Sequence, residues 1–324
     1  DSTITTGNSR QVPNRPNDVG FQNSVFGQSE VTGLTMASAV TNNAFVSGST
    51  YLISNADDIV KLATLVNNGV DTQGVNFVLT QNIDMSSVSD WHGIGVKTNN
   101  KESSSATEGM DPSSLGKAFK GNLDGNYCTI SGLKGNNGLF AYANGSTIKN
   151  LQITNVDINH TSTTAVGGAI ADTSYGCGAL VGVGVDCTVE NVYVSGNIKS
   201  SKWTGGLMGD CQRCTVNSST SAVNITANSS CLGGFLGHSN NGSLTNCLAT
   251  GEVKGGSYAG GFIGHNNSGT GSITNCAATG KVSGTNYIGA FIGRVDGKSA
   301  TITNCQYSAV LSGLSNSVGS GADK

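Results

Sequence analysis

A short glycine-bounded motif returns along this chain at nearly constant intervals, and no other feature limits the possible folds so strongly. It reads Gly178-Ala179-Leu180-Val181-Gly182, then Gly205-Gly206-Leu207-Met208-Gly209 and Gly233-Gly234-Phe235-Leu236-Gly237. It returns as Gly260-Gly261-Phe262-Ile263-Gly264 and Gly289-Ala290-Phe291-Ile292-Gly293. Successive copies lie 27, 28, 27 and 29 residues apart. A looser copy, Asn137-Gly138-Leu139-Phe140-Ala141, stands 41 residues before the first, and the longer gap holds an insertion around residues 155–176.

A second motif keeps the same beat. Ser243-Leu244-Thr245-Asn246-Cys247 is followed by Ser272-Ile273-Thr274-Asn275-Cys276 and Thr301-Ile302-Thr303-Asn304-Cys305, with earlier versions beginning at Thr188 and Thr215. A period of 27–29 residues without helical spacing, cut by Gly and Asn into short β-prone runs, predicts one coil of a parallel β-solenoid per repeat. Coils would then stack about 4.8 Å apart, each strand pairing with those above and below. The stacking predicts two ladders, one of Leu207, Phe235, Phe262 and Phe291, the other of Met208, Leu236, Ile263 and Ile292. The predicted class is all-β.

Composition agrees with this and excludes partners. Charged residues make up 11% of the chain, against roughly 25% in ordinary globular proteins. Glycine accounts for 47 of 324 residues, and net charge is −3 with no basic run. A nucleic-acid partner has no electrostatic basis here. No apolar stretch approaches the roughly 18 residues of a membrane span, so membrane insertion is not expected. A chain beginning at Asp1 reads as a processed, secreted product.

Residues 55–69 read as a helix, with Asn55 as cap, Ile59, Leu62, Ala63 and Val66 on one face, and Gly69 as stop. The expected organisation is an extended segment over 1–45, a cap over 46–115 containing that helix, coils over 116–312 and a tail over 313–324. At this point the residues resemble a known family. Tyr51-Leu52-Ile53-Ser54-Asn55-Ala56-Asp57-Asp58-Ile59, Trp91-His92-Gly93-Ile94-Gly95 and Phe119-Lys120-Gly121-Asn122-Leu123-Asp124-Gly125-Asn126, with the repeats, resemble the GLUG-repeat proteins of bacterial surfaces. These include the non-peptidase repeat region of IgA-cleaving M26-type proteins. The resemblance implies a right-handed parallel β-helix with a helical N-terminal cap, used on adhesins and cell-surface proteins. It carries no functional residues, and residues 1–45 match nothing in it.

Nine cysteines occur, and Cys247, Cys276 and Cys305 share one repeat position, as small buried residues would. Cys187 and Cys214 share another in neighbouring coils and are the disulfide candidate. Cys211-Gln212-Arg213-Cys214 has metal-like spacing, but neither a second pair nor clustered histidines completes a zinc site. No cofactor is expected. Sequons at Asn144, Asn159, Asn217, Asn224, Asn228, Asn241 and Asn266 are candidate glycosylation sites.

No catalytic residues are assigned. The acidic residues of the repeats, Asp172, Asp186, Glu190, Asp210, Glu252 and Asp296, fall at no matching positions that would pair two carboxylates by stacking. His238 and His265 follow the glycine motif in successive coils, with Arg294 in the same place one coil later. They read as lining a solvent-facing corner. In 1–45, Leu34, Met36, Ser38 and Val40 alternate as in a strand, and Leu34, Met36 and Val40 are the assembly candidates. The C-terminal end, from about 306, shows no helix and no charged cap. The expected function is therefore a non-enzymatic extracellular fibre subunit whose N-terminal segment docks on the next copy, a head-to-tail homopolymer. The alternative is a monomeric adhesin or glycan-binding β-helix with exposed Trp203, Tyr258 and Tyr287. A polysaccharide-active enzyme is the third reading.

Overall fold

In a computed structural model, residues 4–6, 31–97, 116–160, 176–201, 203–267, 270–296 and 301–320 are described. Most of 1–30 and of the insertion around 155–176 lies outside them, as does Asp172. The chain is a parallel β-solenoid of about eight turns.

One column of side chains shows why the repeat folds this way. Tyr51, Phe77, Leu123, Ile148, Val189, Val216, Leu244, Ile273 and Ile302 are paired in register from coil to coil, all in parallel strands. Each is at most 2% exposed. The neighbours on either side point outward, so Thr188-Val189-Glu190 is exposed, buried, exposed. That period of two sends one side chain of each triplet into the core, and parallel stacking puts its counterparts directly above it. The two predicted ladders also form. Met208, Leu236, Ile263 and Ile292 are paired in register. Phe235 and Phe262 stack at 4.8 Å between ring centroids, and Phe262 and Phe291 at 4.9 Å.

After each triplet the chain turns through a left-handed residue. Asn150, Asn191, Ser218, Asn246, Asn275 and Asn304 have φ between 48° and 55°, a region Asn tolerates better than other side-chain-bearing residues. Stacked at this corner, the amides bond to one another. Asn275 Nδ2 donates to Asn246 Oδ1 at 3.3 Å, and Asn304 Nδ2 to Asn275 Oδ1 at 2.7 Å. In the next residue, the thiols of Cys247, Cys276 and Cys305 each donate to the carbonyl two residues back, at 3.2, 3.3 and 3.4 Å.

A second, seven-stranded parallel wall comprises Phe140–Asn144, Val181–Val185, Met208–Gln212, Leu236–Asn240, Ile263–Asn266, Ile292–Val295 and Val318–Ser320. Each repeat enters this wall through a tight reversal at the glycine motif, which lays backbone against backbone. A Cβ on Gly264 would stand 2.4 Å from Leu232 N, so the repeated glycines are required by this close approach.

The ends differ from the sequence expectation. Residues 36–42 form a helix, α1 (Met36–Asn42), and only Leu34–Thr35 stays extended, paired with Tyr51–Leu52. Met36 and Ala39 lie three apart, so one helical face buries both, at 0% exposure; a strand could not turn both into the core. Helix α2 (Ala56–Asn67) follows, with Asn55 Oδ1 accepting from Asp58 N at 3.0 Å. Phe45 meets Tyr51 and Phe77 edge-on at 5.1 and 5.2 Å and covers the first coils. At the other end a single helical turn, α3 (Ala309–Ser312), is capped by Ser308. Beside it the N-terminal residues return: Ile4–Thr6 lies parallel on Cys305–Tyr307 in the last coil.

Candidate functional site

The second wall carries a row in which polar chemistry is concentrated. Tyr142, Val183, Asp210, His238, His265, Arg294 and Ser320 stand in register, one per coil. Tyr142 and Val183 belong to a small apolar cluster separate from the main core. From Asp210 to Arg294 the row is ionisable. His238 Nδ1 lies 2.9 Å from Asp210 Oδ1, with both side chains at most 5% exposed. Gln212 Nε2 donates to the same Asp210 oxygen at 2.8 Å, and Asn240 Nδ2 to Gln212 Oε1 at 2.9 Å. A carboxylate buried to this degree is tolerable because donors surround it.

One coil on, His265 Nε2 lies 3.0 Å from Asp296 Oδ2, and Arg294 Nε donates to Asp296 Oδ1 at 2.7 Å. The His238 and His265 rings sit 5.2 Å apart. Burial, then the neighbouring His238, push the His265 pKa down to about 4, with Asp296 opposing. Burial works to raise the Asp296 carboxyl, yet Arg294 and His265 outweigh it and hold the group below its ordinary value. The expected solvent-facing corner is thus wrong for His238, which is buried. Asp296 follows Gly293 by three residues, as Gln212, Asn240 and Asn267 follow Gly209, Gly237 and Gly264, and the acid stands alone among these amides. Asp210 does follow Gly209 as His238 follows Gly237, and that offset was the available signal.

A second row faces this one across the glycine reversal. Trp203, Cys231, Tyr258 and Tyr287 each precede the paired residues Thr204, Leu232, Ala259 and Ile288. Trp203 lies on His238 at 4.6 Å between centroids, Tyr258 on His265 at 5.8 Å, and Tyr258 on Tyr287 at 5.2 Å. The Arg294 guanidinium sits 4.8 Å above the Tyr258 ring and donates to the Tyr258 hydroxyl at 2.5 Å. Among the described residues, no three His, Cys, Asp or Glu are placed to hold a metal ion.

The cysteine expectation needs correction. All nine are buried, Cys187 and Cys214 are thiols, and the Cys187 backbone N–H donates to Cys214 Sγ at 3.4 Å. Burial pushes the Cys128 and Cys231 thiols up to about 11 and about 12, which keeps them protonated. Of the sequons, Asn159, Asn224 and Asn228 are exposed and Asn144, Asn217 and Asn241 half-buried. Asn266 is fully buried within the second wall, where a glycan has no room. Of the assembly candidates, Leu34 is 40% and Val40 46% exposed, but Met36 is locked into the core of its own chain and is unavailable to a neighbour.

Residues 228–254 and 255–283 each match the GLUG motif. The chain is a solenoid that carries two GLUG motifs. Both matched units contain the glycine reversal and the facing rows just described. No curated protein matches the sequence. Among solved structures, a Bacteroides ovatus protein described as a candidate immunoglobulin A1 protease superposes with a TM-score of 0.59 at 19% identity, over 81% of this chain and 76% of that one. An IgA1 protease superposes with a TM-score of 0.52 at 15% identity, over 79% of this chain but only 20% of that much longer one. At these identities the GLUG-repeat chain shares their fold.

Proposed function

We propose that this GLUG-repeat chain is a non-catalytic extracellular rod that joins copies of itself head to tail. The observation carrying the proposal is the strand Ile4–Thr6, laid parallel on Cys305–Tyr307 of the last coil. The C-terminal edge thus accepts an extended strand, and the N-terminal segment supplies one. A neighbour's last coil offers the same edge, so exchange between copies keeps every bond. Ten stacked strands separate the two ends, about 45 Å at ~4.8 Å per step. Residues 7–30 are 24 residues long and reach up to ~80 Å, enough for either partner.

Exposed apolar residues support the same reading. Among the described residues, Leu34, Val40 and Val46 lie at the N-terminal end and Val310 and Leu311 at the C-terminal end, leaving Tyr287 as the remaining large exposed hydrophobic. Both ends offer apolar contacts that stacking would bury. The names of the structural neighbours raise proteolysis, yet the longer IgA1 protease is matched over only a fifth of its length. In the present chain the carboxylates Asp210 and Asp296 are each engaged by a neighbouring imidazole. Extracellular placement rests on the GLUG repeats. No helix among the described residues is long and apolar enough to cross a membrane.

The pairing of Ile4–Thr6 within one chain favours a second reading, a monomeric adhesin closed by its own tail. Electron microscopy of the full chain beside one lacking residues 1–30 separates the two. The cut spares Leu34 and α1, whose Met36 belongs to the core. Filaments that vanish on truncation are expected; single short rods from both proteins would leave the monomer.

A further inference from the structure

We propose that the row Trp203, Tyr258 and Tyr287, with Arg294 and Asp296 at its edge, is a binding surface for a saccharide chain running along the rod. Backbone conformation makes the first argument. Of seventeen non-glycine residues with positive φ among the described residues, eleven are Asn or Asp, the types that tolerate this region at least cost. Tyr258 and Tyr287 hold it at 54°, where bulky side chains are rare. Packing does not account for Tyr287. The residue is 48% exposed, and its ring meets Tyr258 at 5.2 Å between centroids.

Chemistry makes the second argument. Sugars are recognised by an aromatic face that covers their C–H face, together with planar charged groups that bond hydroxyls at the ring edge. Both stand here within one coil of each other. Arg294 and Asp296 are about one-third exposed and are oriented by their mutual bond, and Arg294 further by the Tyr258 hydroxyl. Held side chains of this kind lose little freedom on binding. Spacing makes the third. The row advances about 4.8 Å per coil, close to the length of one pyranose in an extended chain. Successive sugars would therefore meet equivalent positions on successive coils. Trp203, two coils before Tyr258, continues the platform past the smaller Cys231. The buried pair Asp210 and His238 lies beneath Trp203 and supports it rather than meeting ligand.

The test is affinity electrophoresis of the full chain in gels cast with soluble β-glucan, xylan, mannan or mucin, supplemented by a printed array of host and microbial glycans. Wild type should be retarded in at least one gel or bind a defined set of glycans on the array. Tyr287→Asn keeps the left-handed turn and removes a largely exposed ring, so it should fold with unchanged thermal unfolding and weaken that binding by about tenfold. Tyr258→Asn keeps the turn but also releases Arg294, so it should weaken binding at least as much with a lowered melting temperature. Phe262→Leu, in the core beneath, should leave binding intact. Silence across every gel and the array would overturn the proposal. So would retardation that both tyrosine variants retain in full.

Discussion

Phe262 is the middle ring of a three-ring stack, and removing it separates burial from aromatic stacking. The ring is 0% exposed and lies 4.8 Å from Phe235 and 4.9 Å from Phe291, at 8° and 11° between planes. Truncating a buried Phe to Ala costs about 3–5 kcal/mol, the lost transfer energy plus the cavity. Near-parallel rings at these distances contribute about 0.5–1.5 kcal/mol per pair beyond area. Phe262 makes two such pairs and Phe235 one, since Leu207 precedes it in the ladder. Phe262→Leu, which keeps most of the volume, should therefore cost about 1–3 kcal/mol, and Phe235→Leu about half of that. Guanidinium unfolding followed by circular dichroism reads the difference, with hydrogen exchange showing whether the loss stays in adjacent coils, as expected for a solenoid. Equal losses from the two leucine variants would refute stacking as a separate contribution. A Phe262→Ala loss under about 1 kcal/mol would refute the packed column itself.

Gly264→Ala should be worse than its one added methyl suggests. The Cβ would stand 2.4 Å from Leu232 N and 2.5 Å from Cys231 C, both backbone atoms, so the facing strands must part. A loss of at least ~3 kcal/mol or failure to express folded protein is expected, whereas Gly145→Ala, with nothing within 4 Å, should cost only its left-handed φ. Acid should weaken the fold through His265. Its folded pKa is about 4 against an unfolded 6.5, so below pH 6.5 the unfolded chain takes up a proton that the native chain refuses. Stability from this group is complete above pH 6.5 and falls toward pH 4, by on the order of 3 kcal/mol at most. Burial is the largest cause of that low value, with His238 and Arg294 adding to it and Asp296 opposing. His265→Asn should flatten the decline in melting temperature between pH 6.5 and 4.5, and an unchanged slope would assign it to other groups.

The period was enough to reach the solenoid, because in a parallel stack each coil meets an equivalent coil. A repeat position therefore predicts its own neighbours, and the Phe and aliphatic ladders could be read before any coordinates. The helix beginning at Asn55 was equally local, since cap and buried face lie within one stretch of chain. Elements whose partners lie outside the repeat were not legible. Met36 alternates with Leu34 and Val40 as a strand would, and only the apolar end of the first coil turns that segment into α1. Asp296 reaches His265 in the coil before its own from a position that holds amides in the other coils, and the buried Asp210–His238 pair depends on a fold-back that makes the wall's far face dry. The spacing brought Cys187 and Cys214 together, and there the Cys187 N–H donates to the Cys214 sulfur. The return of Ile4–Thr6 to a coil some three hundred residues later leaves no trace in composition or periodicity. It depends on an edge left unpaired when the repeats run out, and that edge exists only once the tertiary structure has formed.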